Sequence, residues 1–298
     1  MGGSPIDIGE RIEFADRVVI VTGGTRGIGR AIAAKFLNAG ADVIVCARSD
    51  PQAEDPAASG HIGSKTEAGG LPAFGEKSAV FIPADVRDAE QARRLVDEAR
   101  ARFGRVDVLV NNAGGSPTVS AAGASPRLVR SILELNLLAP FFCARAANTV
   151  MQGQPEGGVI INIGSVSGTR PSPGAAIYGA AKAGLANLTS TLAVEWAPRV
   201  RVNCLVGGLI ETEMASDHYG GPEGVASVAS TVPLGRMGTP SDIAGLCLLL
   251  ASPLASYVSG AVLLAHGGGE WPAYLRSLEQ LAGEPRDESS DLRPNGRE

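Results

Sequence analysis

An α/β fold follows from three features of the amino-acid sequence: seven short apolar segments, helical patterns between most of them, and a glycine-rich turn between the first segment and the first helix. The segments are residues 18–21, 43–45, 80–82, 108–110, 159–163, 200–206 and 261–264. β-Branched residues dominate them, and strands that apolar are covered on both faces. Crossover helices between such strands predict a doubly wound, seven-stranded parallel sheet with helices on both sides, in a single domain. The helix punctuation agrees. Gly40 caps the end of the first helix, Asp88-Ala-Glu-Gln91 reads as a capping box, and Ser125-Pro126 and Thr239-Pro240 each set a cap residue before a first-turn proline. Long helical patterns cover residues 125–151 and 177–196.

Residues 49–78 break the rhythm. They contain Pro51, Pro56 and Pro72 with Gly60, Gly63, Gly69, Gly70 and Gly75, which predicts an exposed irregular loop where a crossover helix would otherwise stand. With 298 residues, 44% hydrophobic and 19% charged, the chain fits one large domain over residues 1–270. Residues 271–298 form a polar tail, helical at most over 272–281 and expected to be disordered from 283 onward. A net charge of −5 and the lack of a basic run disfavour nucleic acid and anionic membrane as partners. The N-terminal stretch lacks a leader pattern, and the longest apolar run, 243–251, is too short to span a bilayer. Cys46, Cys143, Cys204 and Cys247 sit in apolar runs without metal-ligand spacing, so no metal is expected and a reducing cytoplasm is the expected location.

The chemistry lies in two clusters. The turn Thr22-Gly23-Gly-Thr25-Arg26-Gly27-Ile28-Gly29 joins a strand to a helix, where glycine lets the backbone approach a pyrophosphate and the helix N-terminus offers free N–H groups. The second strand ends Ala47-Arg48, without the carboxylate that would bind a ribose 2′-hydroxyl. Arg48 and Arg26 can instead hold a 2′-phosphate, so NADP(H) is favoured over NAD(H). Further along, Tyr178 and Lys182 are one helical turn apart, with Ser165 upstream. A cation roughly 4 Å from a phenol is worth about 4 kcal/mol at an effective dielectric near 20, which would pull the tyrosine pKa down and make Tyr178 a general acid or base.

These residues together resemble the short-chain dehydrogenase/reductase family of the Gly-x-x-x-Gly-x-Gly type, similar to its 3-oxoacyl reductase-like members. The resemblance runs from about residue 14 to 269 and rests on Thr22–Gly29, Asp85-Val86, Asn111-Asn112-Ala113-Gly114, Asn136, Gly164-Ser165, Tyr178–Lys182, and Asn203 leading to Thr212. It implies a Rossmann-like fold and an oxidoreductase moving a hydride between NADP(H) and a ketone or secondary alcohol. It assigns the adenine to Asp85 and Val86, the floor beneath the riboses to Asn112, Ala113 and Gly114, and the nicotinamide carboxamide to Ile210 and Thr212. Tyr178 would exchange the proton, Lys182 would lower its pKa and bind the nicotinamide ribose, Ser165 would steady the carbonyl oxygen, and Asn136 would position a water. Three departures stand out: Gly207-Gly208 replaces Pro-Gly, which would loosen the base of the nicotinamide loop; His266 precedes Gly267-Gly268; and residues 49–78 replace a helix.

Residues 213–231, with His218 and Tyr219, occupy the place of a mobile substrate lid. Met151 to Glu156 and Val194-Glu195 lack the arginine or lysine that carrier-protein reductases of the family tend to show there, which favours a free small molecule, an acyl-CoA or a cyclic, steroid-like substrate over a 3-oxoacyl-carrier-protein. A catalytically silent nicotinamide sensor is the alternative from another class, and the presence of all four catalytic residues argues against it. Ile132, Leu133, Leu137 and Leu138, with Leu185, Leu188, Leu192 and Trp196, form apolar stripes broader than one sheet-facing side requires and predict self-association to a dimer or homotetramer.

Overall fold

The computed structural model describes residues 12–49, 70–75, 77–213, 215 and 219–275. In chain order the elements are β1 (Val18–Thr22), α1 (Gly27–Asn38), β2 (Asp42–Ala47), β3 (Ala73–Phe74), β4 (Lys77–Ser78), β5 (Val80–Pro83), α2 (Ala89–Phe103), β6 (Val108–Asn111) and α3 (Pro126–Leu133). They continue with α4 (Ala139–Met151), β7 (Gly158–Ser165), α5 (Ala176–Glu195), β8 (Val200–Gly207), α6 (Pro222–Ala229), α7 (Pro240–Ala251) and β9 (Val262–Ala265).

The seven predicted strands form one parallel sheet in the order β5-β2-β1-β6-β7-β8-β9. Alternation along β1 explains why it is apolar throughout. Val18 and Ile20 pack with α2, α4 and the C-terminal half of α5, whereas Val19 and Val21 pack with α1 and α7 on the other side. Each fully buried branched side chain contributes about 1.5–3 kcal/mol relative to exposure, so both layers hold the sheet. Chain order reverses between β1 and β6, which opens a crevice at their carboxyl ends. Thr22 spans that crevice: its Oγ1 accepts from the backbone N–H of both Asn112 and Ala113 at 3.0 Å.

Several local expectations need correction. The helix expected over 125–151 is interrupted by a π-helical turn at Glu134–Leu138, between α3 and α4. Asp88 caps α2 by accepting from Glu90 and Gln91 N–H, but Gln91 does not close the box and instead accepts from Asp85 N–H at 3.0 Å. The full box occurs at α7, where Thr239 and Asp242 cap each other. Within the supposed irregular loop, β3 and β4 pair as a small antiparallel hairpin, while residues 50–69 lie outside the described residues. Likewise the tail beyond residue 275 and His218 lie outside them. Gly207 does not loosen a loop base, because it is the last paired residue of β8, opposite Ser165 and Ala265. The apolar stripes are largely consumed by the chain's own core: Ile132, Leu185 and Leu192 are buried, and Leu188 and Trp196 pack against the core, although Leu138 and Val194 remain exposed. All four cysteines are buried and free.

Candidate active site

The turn after β1 is built as a cradle. Gly23 and Gly27 hold φ of 64° and 54°, the left-handed region that glycine enters without strain. Gly29, in the first turn of α1, lies so close to the glycine turn that a Cβ would be 2.3 Å from Gly23 O and 2.4 Å from Asn112 Nδ2. Arg26 is the N-cap residue of α1, and no side chain caps that end, leaving the first N–H groups and the positive end of the helix dipole facing the crevice. Thr25 lies in the same turn, and Ile28 packs against the core in the first turn of α1. The Asn112 side chain donates to Thr22 O at 2.9 Å and Gly23 O at 3.2 Å, which locks the β6 loop to the cradle. From the far side the segment after β8 closes in: a Cβ on Gly27 would lie 4.0 Å from Thr212 Cγ2, and Ile210 bridges to Gly238. Glycine turn, uncapped helix end and β6 loop thus lie together and offer unpaired backbone N–H groups of the kind that suit a pyrophosphate.

At the outer end of the groove Arg26 and Arg48 are both exposed. Asp85 is already engaged: Arg87 grips its carboxylate through Nε at 2.9 Å and Nη2 at 2.5 Å, and this bond, ahead of smaller effects including the charge of Arg48, holds the Asp85 carboxyl below its usual range. Arg87 is a third cation here that reasoning from the sequence passed over. Only its position two residues after Asp85 hinted at it. Val86 is buried in the core, so what it can offer a ligand is backbone.

The four predicted catalytic residues come from three elements and converge. Ser165 ends β7, Tyr178 and Lys182 occupy the first turns of α5, and Asn136 lies within the π turn. Asn136 is fully buried; its amide donates to Gly115 O and Ile132 O at 2.9 Å and its Oδ1 accepts from Gly115 N–H at 2.9 Å. The extra residue of the π turn turns Asn136 inward, a use such turns commonly serve at functional sites. Gly114 lies over this cluster: a Cβ there would be 2.9 Å from Asn136 Oδ1 and 3.3 Å from Lys182 Nζ. Lys182 is buried and donates to Ile163 O at 2.8 Å, with its Nζ 5.7 Å from the Tyr178 ring centroid.

Electrostatics here reverse one expectation. Burial raises the Tyr178 phenol above its ordinary range despite the opposing hydrogen bond with Ser165. Burial outweighs any help from Lys182, whose own ammonium is penalised by the same burial and brought from 10.5 to about 8. The site therefore holds a neutral phenol, hydrogen-bonded to a serine hydroxyl and next to a cation with little hydration. Such a group can donate a proton to a developing alkoxide.

A family profile described as "Enoyl-(Acyl carrier protein) reductase" matches residues 23–270. L-rhamnose 1-dehydrogenase (NAD(P)(+)) of Azotobacter vinelandii is 37% identical over 254 residues, covering 85% of this chain and 96% of that protein. The chain belongs to the short-chain dehydrogenase/reductase family. Within it, 3beta-hydroxysteroid dehydrogenase 1 of Eggerthella lenta is 36% identical over 257 residues, covering 86% of this chain and 94% of its own length. The solved structure of Thermoplasma acidophilum aldohexose dehydrogenase superposes with a TM-score of 0.74 at 28% identity, covering 85% of this chain and 94% of that one. This short-chain dehydrogenase/reductase is a nicotinamide-dependent oxidoreductase acting on an alcohol or carbonyl group.

Proposed function

We propose that the enzyme uses NADP(H) in preference to NAD(H) and interconverts a neutral ketone and secondary alcohol of small-molecule size, with Tyr178 exchanging the proton. The observation that carries this reading is the convergence of the Tyr178 phenol, the Ser165 hydroxyl and the buried Lys182 ammonium beside the glycine cradle. When bound, the dinucleotide supplies or accepts the hydride. Ser165 and Tyr178 then face the carbonyl oxygen, stabilise its growing negative charge, and Tyr178 gives up its proton. Lys182 has N–H donors beyond the one given to Ile163 and can hold the nicotinamide ribose; Asn136, fixed by three hydrogen bonds, keeps Gly115 and the β6 loop in place and can orient a water. Gly23, Thr25, Gly27, Ile28 and Gly29 cradle the pyrophosphate, Asp85 and Val86 the adenine, and Asn112, Ala113 and Gly114 the riboses, while Ile210 and Thr212 meet the carboxamide.

Preference for the 2′-phosphate rests on Arg26 and Arg48, with Arg87 close by, and on the lack of a free carboxylate at Ala47. A neutral substrate is favoured by the wall beside Tyr178, where Ser116, Val119, Ala124, Ile132, Gly174 and Ile177 present no charge. Relatives named for a sugar and for a steroid span the chemistry such a wall must choose between, and its apolar character favours a cyclic, steroid-like ketone or the uncharged acyl portion of an acyl-CoA. The protein works in the cytoplasm as a dimer or homotetramer. Supporting association are the exposed Leu138 at the end of the π turn and Val194 on α5, and the exposed Val262, Leu263 and Leu264 of edge strand β9.

Purified protein should consume NADPH with a neutral ketone panel. Tyr178→Phe should bind NADPH normally yet lose turnover by about 10²–10⁴-fold. Near wild-type turnover in that variant would overturn the reading.

A further inference from the structure

Beneath the catalytic cluster runs a line of buried polar side chains that the proposed chemistry does not use. Asn111 on β6, Asn162 on β7 and Thr189 on α5 are each at most 2% exposed. Asn111 Nδ2 donates to Pro140 O at 3.0 Å and to Asn162 Oδ1 at 2.9 Å; Asn162 Nδ2 donates to Thr189 Oγ1 at 2.9 Å; and Thr189 Oγ1 donates to Leu185 O at 2.8 Å. The direction of every bond is fixed. Turning the Asn111 amide over would set its oxygen against the Pro140 carbonyl, which can only accept, and the remaining links follow from that one.

Stability alone gives no reason for this arrangement. Asn111 Oδ1 is buried without a hydrogen-bond partner among the described residues, a cost that apolar side chains of the same shape would avoid. What the line does is join every element that carries a catalytic group. Pro140 lies in the first turn of α4, just after the π turn that presents Asn136, and Asn111 leads into the Asn112–Gly114 floor. Asn162 directly precedes Ile163, whose carbonyl holds the Lys182 ammonium, and shares β7 with Ser165. Thr189 sits about two helical turns beyond Lys182 on α5. Thus α5 is pinned to β7 at two points, Lys182 to Ile163 and Thr189 to Asn162, and cannot slide along the strand without breaking one of them. Strand pairing aligns Asn111 directly opposite Asn162, so the same strap also fixes β6.

We propose that Asn111, Asn162 and Thr189 are positioning residues that hold Asn136, Ser165, Tyr178 and Lys182 in reacting geometry; this rests on the reading of Tyr178 as proton donor. The strap acts on the alignment of catalytic groups, so it should govern kcat and leave binding alone. Thr189→Val keeps the shape and removes the hydroxyl, whereas Thr189→Ser keeps the hydroxyl. A displacement near 1 Å can cost about 100-fold in rate, so Thr189→Val should lower kcat by about 10–100-fold with NADPH affinity and ketone KM within about threefold of wild type, and Thr189→Ser should restore most of the rate. Should Thr189→Val fail to fold, Thr189→Cys, with a weakly accepting thiol of similar volume, takes its place under the same two outcomes. Loss of melting temperature with wild-type kcat, or equal kcat losses in the valine and serine variants, would make the strap merely structural. Tyr178→Phe is measured alongside. If it is active, the site reading fails and the strap with it; if it is inactive while Thr189→Val is unimpaired, the strap alone fails.

Discussion

Replacing Lys182 with methionine should change how the stability of the protein depends on pH. Lys182 is 4% exposed, and burial brings its ammonium from 10.5 to about 8, opposed only by the neighbouring Cys204. The folded pKa is thus lower than the unfolded one, so between about pH 8 and 10.5 the unfolded chain binds more protons than the folded chain. Stability must then rise with pH across that window, and below it the penalty of burying the charge is present in full. At 1.36 kcal/mol per unit, the penalty amounts to about 3 kcal/mol. Urea denaturation of wild type and Lys182→Met, repeated from pH 7 to 10.5, isolates this contribution, because other titrating groups largely cancel in the difference. The wild type should gain about 3 kcal/mol on the variant over the window. A flat difference would refute the burial account of Lys182. The same ionisation should appear in catalysis. With Tyr178 raised and protonated throughout, kcat/KM for NADPH in the reduction direction should hold steady below pH 8 and fall above it as Lys182 loses its charge.

Other perturbations test the remaining parts of the site. Arg48→Ala removes a charge-assisted phosphate contact worth about 1.5–3 kcal/mol, so fluorescence titration should show NADPH weakened by roughly 10–100-fold and NADH spared. A wild-type preference for NADH would sink the assignment. Gly29→Ala drives a methyl into Gly23 O and the Asn112 amide and should cost about 1–3 kcal/mol of stability, with the NADPH-induced rise in melting temperature abolished; a variant that keeps this rise would contradict the cradle. Since Leu188 packs against the chain's own core, Val194, which is 80% exposed, is the better probe of association. Light scattering should report a dimer or tetramer for wild type and dissociation for Val194→Glu, and a wild-type monomer at micromolar concentration would exclude the assembly.

The fold was legible in the sequence wherever one physical signal dominated. The inner strands, buried on both faces, must be apolar along their whole length, and every predicted strand lies within a residue or two of its observed bounds, including edge strand β9, which is apolar yet exposed. Cap chemistry was readable at Ser125 and Thr239 because cap and backbone donor lie within one turn. What escaped depends on contacts distant in the sequence. The π turn at Glu134–Leu138 occupies an apolar stretch that reads as ordinary helix, and it is Asn136 reaching Gly115 that gives the altered winding its purpose. Gln91 left its capping role for Asp85 N–H across the loop before α2, and the Asp85–Arg87 grip is one that residue type alone leaves open.

The catalytic site separates two kinds of inference. Spacing decides which side chains can meet: four residues on a helix put Tyr178 and Lys182 on one face, and strand order brings Ser165 to them. Protonation is decided by what surrounds the pair. A Coulombic estimate from spacing alone placed the tyrosine below its ordinary pKa, but it omitted the desolvation that each partner suffers, and in the folded protein that burial raises Tyr178 and lowers Lys182. Both shifts favour the neutral form of their group, so the two partners end less polarised than an exposed pair would be. The consequence is directional. A protonated phenol beside a buried, still charged lysine is prepared to give a proton to a carbonyl oxygen at neutral pH, whereas accepting one from an alcohol first requires the phenol to ionise in a site that resists the charge. Reduction should therefore run readily at neutral pH, and alcohol oxidation should accelerate as pH rises until loss of the Lys182 charge overtakes the gain.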